Sequence, residues 1–300
     1  MADSKHAKPI PVKDGLTMEE ISHIEAREDE FPELMIAAEP KRVYPFGNLA
    51  AHILGYLQEL TPAELRSDRF KDRQAGDLVG RNGIEREYEG RLVGSKGRIL
   101  EIVDSLGRVR GEAGRVEARQ GESLTLSLDV ELQKAAEALL QGKEGAIVVL
   151  DPRSGEVLAL ASFPTFDPNK FINRFTAEEW LAIVRSPEYP LENRTIRGLY
   201  SPGSIFKPAM AIGALEAGLI NEDTRTYCAG ATEIYGHPFA CWLETGHGSL
   251  ALFDAIRYSC NIYFYSIGRQ MGIEDIARTA EKLGLGRKTG IDLPGEKEGL

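Results

Sequence analysis

The sequence predicts an α+β fold for the larger part of the chain, residues 119–300, and a smaller mixed α/β domain before it, residues 1–118. The segment "GAIVVLDPRSGEVLALASF" (145–163) contains two apolar, β-branched runs joined by a turn with Pro and Gly, which is the signature of an antiparallel hairpin. Long helical regions are expected to follow at 176–220 and 251–285. A hairpin followed by helices is typical of the α+β class.

The first domain is charged and is interrupted by glycines. We expect one helix at 49–58 and a second at 83–92, because Ile84, Tyr88 and Leu92 recur on one face with helical spacing. The run "RILEIVD" predicts a strand. The sequence of this domain contains no nucleophile with a partnered base, no phosphate-binding loop and no metal-ligand spacing, which indicates a scaffold.

The second domain begins with "SLTLSLDVELQKAAEALL" (123–140), which alternates as a strand and then continues as a helix. Asp129 stands where the helix needs an N-cap. A strand, a helix and the hairpin are therefore expected before the helical regions.

Composition limits the function classes open to the chain. Its 300 residues and 42% hydrophobic content suit two domains of about 100–200 residues each. The formal net charge of -10 excludes nucleic acid as the main partner, since phosphate binding needs a basic surface. The sequence has no run near the roughly 20 apolar residues of a membrane span, and no signal-peptide core, so it predicts a soluble chain. Its ends, "MADSKHAKPIP" and "DLPGEKEGL", predict a fragment of a longer protein.

A serine and a lysine stand three residues apart in "LYSPGSIFKPAMAIGALEAG". The Pro-Gly pair ends the preceding segment, so a helix is expected to begin near Ser204, with Pro208 tolerated in its first turn. Helical spacing then puts the Ser204 hydroxyl and the Lys207 amine on one face. Because a partly desolvated lysine can lose its proton, the pair is a candidate nucleophile and base. A serine that only caps the helix is the alternative.

A second motif lies in "YSCNIYFYSIG", where Ser259 and Asn261 stand on one side of a turn or helix start. Serine and asparagine in this spacing follow a Ser-x-x-Lys motif in several acylating enzymes. Each motif alone is weak, but the two in this order within one α+β domain favour catalysis over capping.

Longer stretches carry a family resemblance. The segments "LENRTIRGLYSPGSIFKPAMAIGALEAG", "SCNIYFY" and "LGLGRKTGIDLPGE" resemble the transpeptidase domain of class B penicillin-binding proteins, in particular the elongation-type members. "PKRVYPFGNLAAHILGYL" and "GRNGIEREYEGRLVGSKG" resemble the pedestal domain of that family, and "DPRSGEVLALASFPTFDPN" resembles its early transpeptidase hairpin. The resemblance implies a serine β-lactamase-like transpeptidase fold, incomplete at its C-terminus, after an N-terminally incomplete pedestal.

The resemblance also implies an activity, that of a peptidoglycan D,D-transpeptidase that β-lactams acylate and that needs no catalytic cofactor. Ser204 would attack the D-Ala-D-Ala carbonyl of a stem peptide, and Lys207 would take the serine proton. Ser259 would pass a proton to the leaving group, and Asn261 would bind the substrate amide. The Ser204 N–H would form half of the oxyanion hole.

Partners and location follow from the same resemblance. The family works beside a polytopic glycosyltransferase of the shape, elongation, division and sporulation (SEDS) type, on the outer, periplasmic face of the cytoplasmic membrane. Its members are anchored there by an N-terminal transmembrane helix, which is not in this sequence. A β-lactam sensor or a β-lactamase could use the same two motifs without the pedestal. A scaffold that activates a glycan polymerase is the non-enzymatic alternative.

The triplet Lys288-Thr289-Gly290 has the letters of the family's third motif. It follows a helix, in a segment that the family carries in addition to that motif. We therefore expect the true third motif beyond Leu300, and the fragment to be inactive.

All three cysteines, Cys228, Cys241 and Cys260, lie in one window together with His247. They supply four ligands of the tetrahedral zinc type, and a site with four protein ligands would be structural. His237 is a substitute ligand. A Cys228–Cys241 disulfide across the predicted hairpin "AGATEIYGHPFA" and three free thiols are the alternatives.

Overall fold

The computed structural model describes residues 12–13, 15–31, 34–37, 41–105, 109–172 and 175–299. The first eleven residues and Leu300, parts of the expected fragment ends, lie outside these ranges. The α-helices are α1 (Met18–Glu25), α2 (Ala51–Leu54), α3 (Gly83–Glu87), α4 (Glu89–Leu92), α5 (Val130–Leu140), α6 (Asn169–Ile172), α7 (Ala177–Val184), α8 (Arg194–Arg197), α9 (Lys207–Glu216), α10 (Leu252–Arg257) and α11 (Asn261–Lys282). Shorter 3₁₀ segments are Glu64–Arg66, Asp68–Phe70 and Gly203–Phe206.

The strands are β1 (Leu57–Glu59), β2 (Leu78–Gly80), β3 (Arg98–Val103), β4 (Val109–Val116), β5 (Gly145–Leu150), β6 (Val157–Phe163), β7 (Thr226–Cys228), β8 (Ala231–Ile234), β9 (His237–Ala240) and β10 (Gly248–Leu250). They form antiparallel, two-stranded sheets that pair β1 with β2, β3 with β4, β5 with β6, β7 with β10 and β8 with β9. Antiparallel strands with separate helices confirm the predicted α+β class.

The helices of the first domain are shorter than the sequence predicts. The helix expected at 49–58 is confined to α2, because Gly55 turns the chain with φ 81° and β1 follows. A Cβ atom on Gly55 would lie 1.8 Å from the Asn82 carbonyl oxygen, so only glycine permits this close approach. The helix expected at 83–92 is divided at Tyr88 into α3 and α4, yet the three residues of its predicted apolar face pack in one cluster. The strand predicted from "RILEIVD" is confirmed as β3.

The strand predicted at 123–128 is not present, although its alternation has a structural basis. Leu124, Leu126 and Leu128 face a cluster with Ile53, Ile84 and Leu160, while the chain lies beside β6 without forming a ladder. The helix predicted after it is confirmed as α5. The Asp129 side chain caps α5 by accepting hydrogen bonds from the N–H groups of Glu131 and Leu132 at 2.9 Å.

The predicted hairpin is confirmed as β5 and β6, and α5 packs on it. The buried Gln133 side chain of α5 pairs with the backbone of Leu160 as a peptide group of a neighbouring strand would. Leu160 N–H donates to Gln133 Oε1 at 2.7 Å, and Gln133 Nε2 donates to the Leu160 carbonyl oxygen at 3.1 Å. Ala136 and Leu140 of α5 pack against Ala159 and Ala161 of β6. These contacts fix the position of the helix on the hairpin.

The helical regions expected at 176–220 and 251–285 are present as separate helices rather than as continuous ones: α7 to α9 and α10 to α11. Helices α9 and α11 form the centre of the largest apolar cluster, which includes Met210, Tyr263 and Ile267. They approach closely at Gly213, where a Cβ atom would lie 2.3 Å from Thr279 Oγ1. No helix in the described ranges combines the length and apolar composition that crossing a membrane requires.

The two domains meet at a junction, which consists of residues 44–56 and the parts of the second domain that contact them. Tyr44 and the Asn169 side chain exchange two hydrogen bonds of 2.9 Å, and Ala50 N–H donates to Glu137 Oε1 at 2.7 Å. His52 is 3% exposed, and its Nε2 lies 2.8 Å from the Pro190 carbonyl oxygen. Burial lowers the pKa of His52 to about 4.

Aromatic rings fill the junction. Phe171 is 2% exposed and packs at a centroid distance of 4.1 Å from Tyr56 and 5.4 Å from Phe166. Phe175 and Trp180 extend this cluster into α7. The domains are therefore joined by a buried apolar cluster as well as by hydrogen bonds.

Candidate active site

The serine and lysine of the first motif lie at the start of α9. Gly203 adopts φ 57° and begins a 3₁₀ turn, Gly203–Phe206, which continues directly into α9. Pro208 occupies the first turn of α9, as predicted, where its missing N–H removes no helical bond. Ser204 is exposed and Lys207 is half-buried, so the hydroxyl is open to a substrate while the amine is partly removed from water.

The residues of the second motif lie in the turn between α10 and the start of α11. Ser259 adopts a left-handed backbone conformation, φ 52°, which is uncommon for a residue with a side chain. Its N–H donates to the Ile256 carbonyl at 3.1 Å, and Asn261 is the first residue of α11. This turn directs the Ser259 side chain toward α9.

The four predicted catalytic residues form one hydrogen-bonded network. Lys207 Nζ lies 2.9 Å from Ser259 Oγ, 2.8 Å from the Ser259 carbonyl oxygen and 2.7 Å from Asn261 Oδ1. Ser259 Oγ lies 3.0 Å from Ser204 Oγ. The sequence spacing predicts direct contact between Ser204 and Lys207, whereas the hydrogen bonds of the structure join these two residues through Ser259.

The environment of Lys207 makes its amine easier to deprotonate than that of a free lysine. Burial lowers the pKa of Lys207, against a smaller opposing effect of Cys241 and Cys260. A neutral amine has two N–H donors and one lone pair. The charged amine donates to all three oxygens; in the neutral form the carbonyl oxygens of Ser259 and Asn261 accept its two N–H groups, which leaves the lone pair for the Ser259 hydroxyl. The arrangement can therefore receive a proton from Ser204 by way of Ser259.

The Lys288-Thr289-Gly290 triplet lies in a segment without helix or strand that packs toward the first domain. The Thr289 N–H and hydroxyl both donate to Glu296, at 2.7 and 2.6 Å. The next residues, Ile291 and Leu293, pack in the cluster that contains Ile53 and Ile84. That the triplet is not the third active-site motif stays a prediction.

The four predicted metal ligands lie together beside the second motif. The ligand atoms of Cys228, Cys241, His247 and Cys260 all fall within 4.8 Å of one another. His247 Nδ1 is 3.6 Å from the Sγ atoms of both Cys228 and Cys241. All three cysteines are free thiols in the structure rather than a Cys228–Cys241 pair joined by a disulfide. His237, the substitute ligand, begins β9 and is not part of this group.

Sequence reasoning missed the contacts that hold the second motif from the side of β9. Asn261 Nδ2 donates to the Ala240 carbonyl at 3.2 Å, and Trp242 Nε1 donates to the Tyr258 carbonyl at 2.8 Å. The only sequence signal was the position of Trp242 directly after a candidate zinc ligand, Cys241.

Comparison with known proteins identifies both parts of the chain. Residues 145–300 match the penicillin binding protein transpeptidase domain, and residues 2–126 match the penicillin-binding protein dimerisation domain. The predicted division at residue 118 stays a prediction, because the two matches leave 127–144 unassigned.

Individual relatives agree with the family matches. The chain is 37% identical to the peptidoglycan D,D-transpeptidase MrdA of Acinetobacter baumannii over 99% of its own residues, but spans only 44% of that protein. In a solved complex between penicillin-binding protein 2 and MreC from Helicobacter pylori, a chain 34% identical superposes with a TM-score of 0.83, covering 94% of this chain and 52% of that one. A structure described as the coordination of polymerization and crosslinking by a peptidoglycan synthase complex matches with 30% identity and a TM-score of 0.78, over 99% of this chain and 54% of that one.

Proposed function

The chain belongs to the penicillin-binding protein transpeptidase family, within its penicillin-binding protein 2 group, and we propose that it is a serine-type peptidoglycan D,D-transpeptidase that cross-links stem peptides during cell elongation. The single observation that carries the proposal is the unbroken hydrogen-bonded path from Ser204 through Ser259 to Lys207. The dimerisation-domain match favours this function over a sensor or a β-lactamase, since neither needs a pedestal.

In the proposed acylation step, Ser204 Oγ attacks the carbonyl of the penultimate D-Ala. The Ser204 proton passes to Ser259 Oγ while the Ser259 proton passes to Lys207 Nζ. Ser259 Oγ therefore stays a hydroxyl, and the net transfer is from Ser204 to Lys207. The amide bond between the two D-Ala residues then breaks, and the leaving D-Ala nitrogen takes the proton back along the same path. An amine of a second stem peptide then attacks the ester carbonyl, the bond to Ser204 Oγ breaks, and the amine proton passes along the path to Ser204 Oγ. Attack by water would give D-Ala-D-Ala carboxypeptidase activity instead.

Two further groups belong to the proposed site. Asn261 Oδ1 accepts one N–H of Lys207 and keeps a second lone pair, which we assign to the substrate amide. The Ser204 N–H, at the start of the helix, is one donor of the oxyanion hole. The second donor and the third motif belong, in this proposal, to sequence beyond Leu300, and the 300-residue chain alone is then inactive.

The test is intact-mass spectrometry of the protein, extended to the length of its curated relatives, after incubation with a penicillin. We expect one stable drug adduct per chain and none with Ser204→Ala. The acyl-enzyme formed from a D-Ala-D-Ala thioester analogue should then transfer to an added amine. Rapid drug hydrolysis would identify a β-lactamase, and a stable adduct without transfer a sensor. If folded wild-type protein formed no adduct, the transpeptidase function would be contradicted and the scaffold function would be favoured.

The partner and location follow from the same family membership. We propose that the protein works beside a polytopic SEDS-type glycosyltransferase on the periplasmic face of the cytoplasmic membrane, held there by an N-terminal transmembrane helix outside this sequence. The similarity to a chain of a peptidoglycan synthase complex supports this partner. Co-purification of the full-length protein with the glycosyltransferase tests it, and separation of the two in mild detergent would contradict it.

We also propose that Cys228, Cys241, His247 and Cys260 hold a structural zinc ion. For tetrahedral zinc with Zn–S about 2.3 Å and Zn–N about 2.0–2.1 Å, the distance between a sulfur and a nitrogen ligand is about 3.6 Å. Both of the sulfur–Nδ1 distances of the structure, 3.6 Å, have this value. Four protein ligands leave no open coordination position, so the ion would hold the Ser259 turn to β7 and to the loop before β10 without taking part in acylation.

Elemental mass spectrometry of the purified protein tests the zinc site. We expect about one zinc ion per chain, lost in Cys241→Ser and retained in His237→Ala, since His237 lies on β9 outside the group. The assignment would be contradicted if the wild-type protein held no zinc after exposure to the ion, or if His237→Ala lost its zinc.

A further inference from the structure

Trp242 is a large aromatic residue that is not buried, yet makes a specific bond beside the active site. Its side chain is 62% exposed, and its Nε1 donates to the Tyr258 carbonyl oxygen at 2.8 Å. An exposed indole gains little free energy from apolar burial. Its contribution therefore lies mainly in this hydrogen bond and in edge contact with the ring of His247, at a centroid distance of 5.3 Å.

The bond acts on the peptide group that precedes the Ser259 α-carbon. The Tyr258 carbonyl and the Ser259 N–H belong to one planar peptide unit. The carbonyl accepts from Trp242 at 2.8 Å, and the N–H donates to the Ile256 carbonyl at 3.1 Å, so both polar edges of the unit are held. The orientation of this plane sets the φ angle of Ser259.

The fixed φ angle matters because Ser259 adopts φ 52°, a conformation that costs free energy for a residue with a side chain. If the plane rotates, Ser259 can relax, and its Oγ then leaves the positions 3.0 Å from Ser204 Oγ and 2.9 Å from Lys207 Nζ. The Asn261 bond to Ala240 ties the other end of the same turn. Residues 240–242 thus hold the second motif at both ends.

We propose that Trp242 is a positioning residue for acylation, which acts through the Tyr258 carbonyl to keep Ser259 in its left-handed conformation. This inference rests on the proposed function, because it assigns Ser259 to the proton path. Trp242 has no bond to a reacting atom, so its effect should pass mainly through the Ser259 hydroxyl, with a smaller part through the Ser259 carbonyl oxygen that bonds Lys207.

The test separates covalent acylation of the longer protein by a penicillin into the dissociation constant of the first complex and the acylation rate constant. Trp242→Phe keeps a ring and removes the donor. We expect its acylation rate constant to fall about three- to tenfold, with the dissociation constant and the unfolding midpoint unchanged. Trp180→Phe is the matched control, since Trp180 is the other tryptophan of the chain and lies in the junction cluster. Its acylation rate constant should equal that of wild type.

A double-mutant cycle with Ser259→Ala decides whether the effect passes through Ser259. In the Ser259→Ala background, Trp242→Phe should cause a clearly smaller fold loss than in wild type, since only the Ser259 carbonyl contact with Lys207 is left to disturb. An unchanged rate constant in Trp242→Phe, or the same fold loss in both backgrounds, would overturn the inference. These outcomes differ from failure of the proposed function, in which wild-type protein itself would form no adduct.

Discussion

The active-site network and the junction both join distant parts of the chain through hydrogen bonds, but they differ in burial. Ser204 is exposed and Lys207 is half-buried, whereas His52 and Phe171 of the junction are 3% and 2% exposed. Groups near water can exchange protons with a substrate, while buried groups mainly determine how firmly the domains stay together. Substitutions in the first region should therefore change chemistry, and substitutions in the second should change stability.

The largest effect is expected at Lys207. Lys207→Ala removes the proposed proton acceptor, and the acylation rate constant for a penicillin should fall about 10³-fold. The unfolding midpoint should fall less than in Phe171→Ala, since Lys207 is only half-buried and contributes hydrogen bonds rather than buried apolar packing. Stopped acylation reactions sampled by mass spectrometry measure the rate. A fall of less than tenfold would show that another group accepts the proton.

The second-largest effect is expected at Phe171, where the change is in the free energy of unfolding rather than in the acylation rate. Phe171→Ala leaves a cavity between Tyr56 and Phe166, and the free energy of unfolding should fall by about 4 kcal/mol. Denaturant unfolding followed by fluorescence measures this loss. The fraction still folded should be acylated at the wild-type rate, because Phe171 has no contact with the network. A slower rate in that fraction would show that the two regions are coupled.

The effect at His52 depends on pH. Its pKa is about 4 in the folded protein and about 6.5 when unfolded, so the unfolded state binds more protons between these values. The stability that neutral His52 contributes is fully present above pH 6.5, and about 3 kcal/mol is lost as the pH falls to 4.

His52→Gln removes the titrating group and can keep a donor for the Pro190 carbonyl. Unfolding midpoints of wild type and variant between pH 7 and 4 should diverge, with the variant losing less stability in acid. Carboxylates titrate in both proteins and cancel in the difference. Parallel curves would contradict the role given to His52.

The two regions also differ in how far the sequence predicts them. Ser204 with Lys207, and Ser259 with Asn261, are close in the chain, so turn and helix spacing predicts each pair. The family resemblance then predicts that the pairs meet. The junction has no such signal in the sequence. His52 has no distinguishing neighbours in its short helix, and its hydrogen-bond acceptor, the Pro190 carbonyl oxygen, is 138 positions away in the chain.

Tertiary packing explains the remaining differences. The alternation at 123–128 predicts a strand, but its leucines pack on β6 and the first domain without a ladder partner. Spacing on α9 predicts that Lys207 bonds Ser204 directly. The left-handed turn at Ser259 places a second hydroxyl between them, and a φ angle of this kind is not encoded by the letters Ser-x-Asn.

The most direct test of the proposed mechanism is the coupling between Ser259 and Lys207 in acylation. Rate constants are measured with one penicillin for wild type, Ser259→Ala, Lys207→Ala and the double variant. If the Ser204 proton reaches Lys207 through Ser259, the double variant should be no slower than Lys207→Ala alone, because either change already breaks the path. Losses that multiply in the double variant would contradict the relay and show that Lys207 takes the proton independently of Ser259.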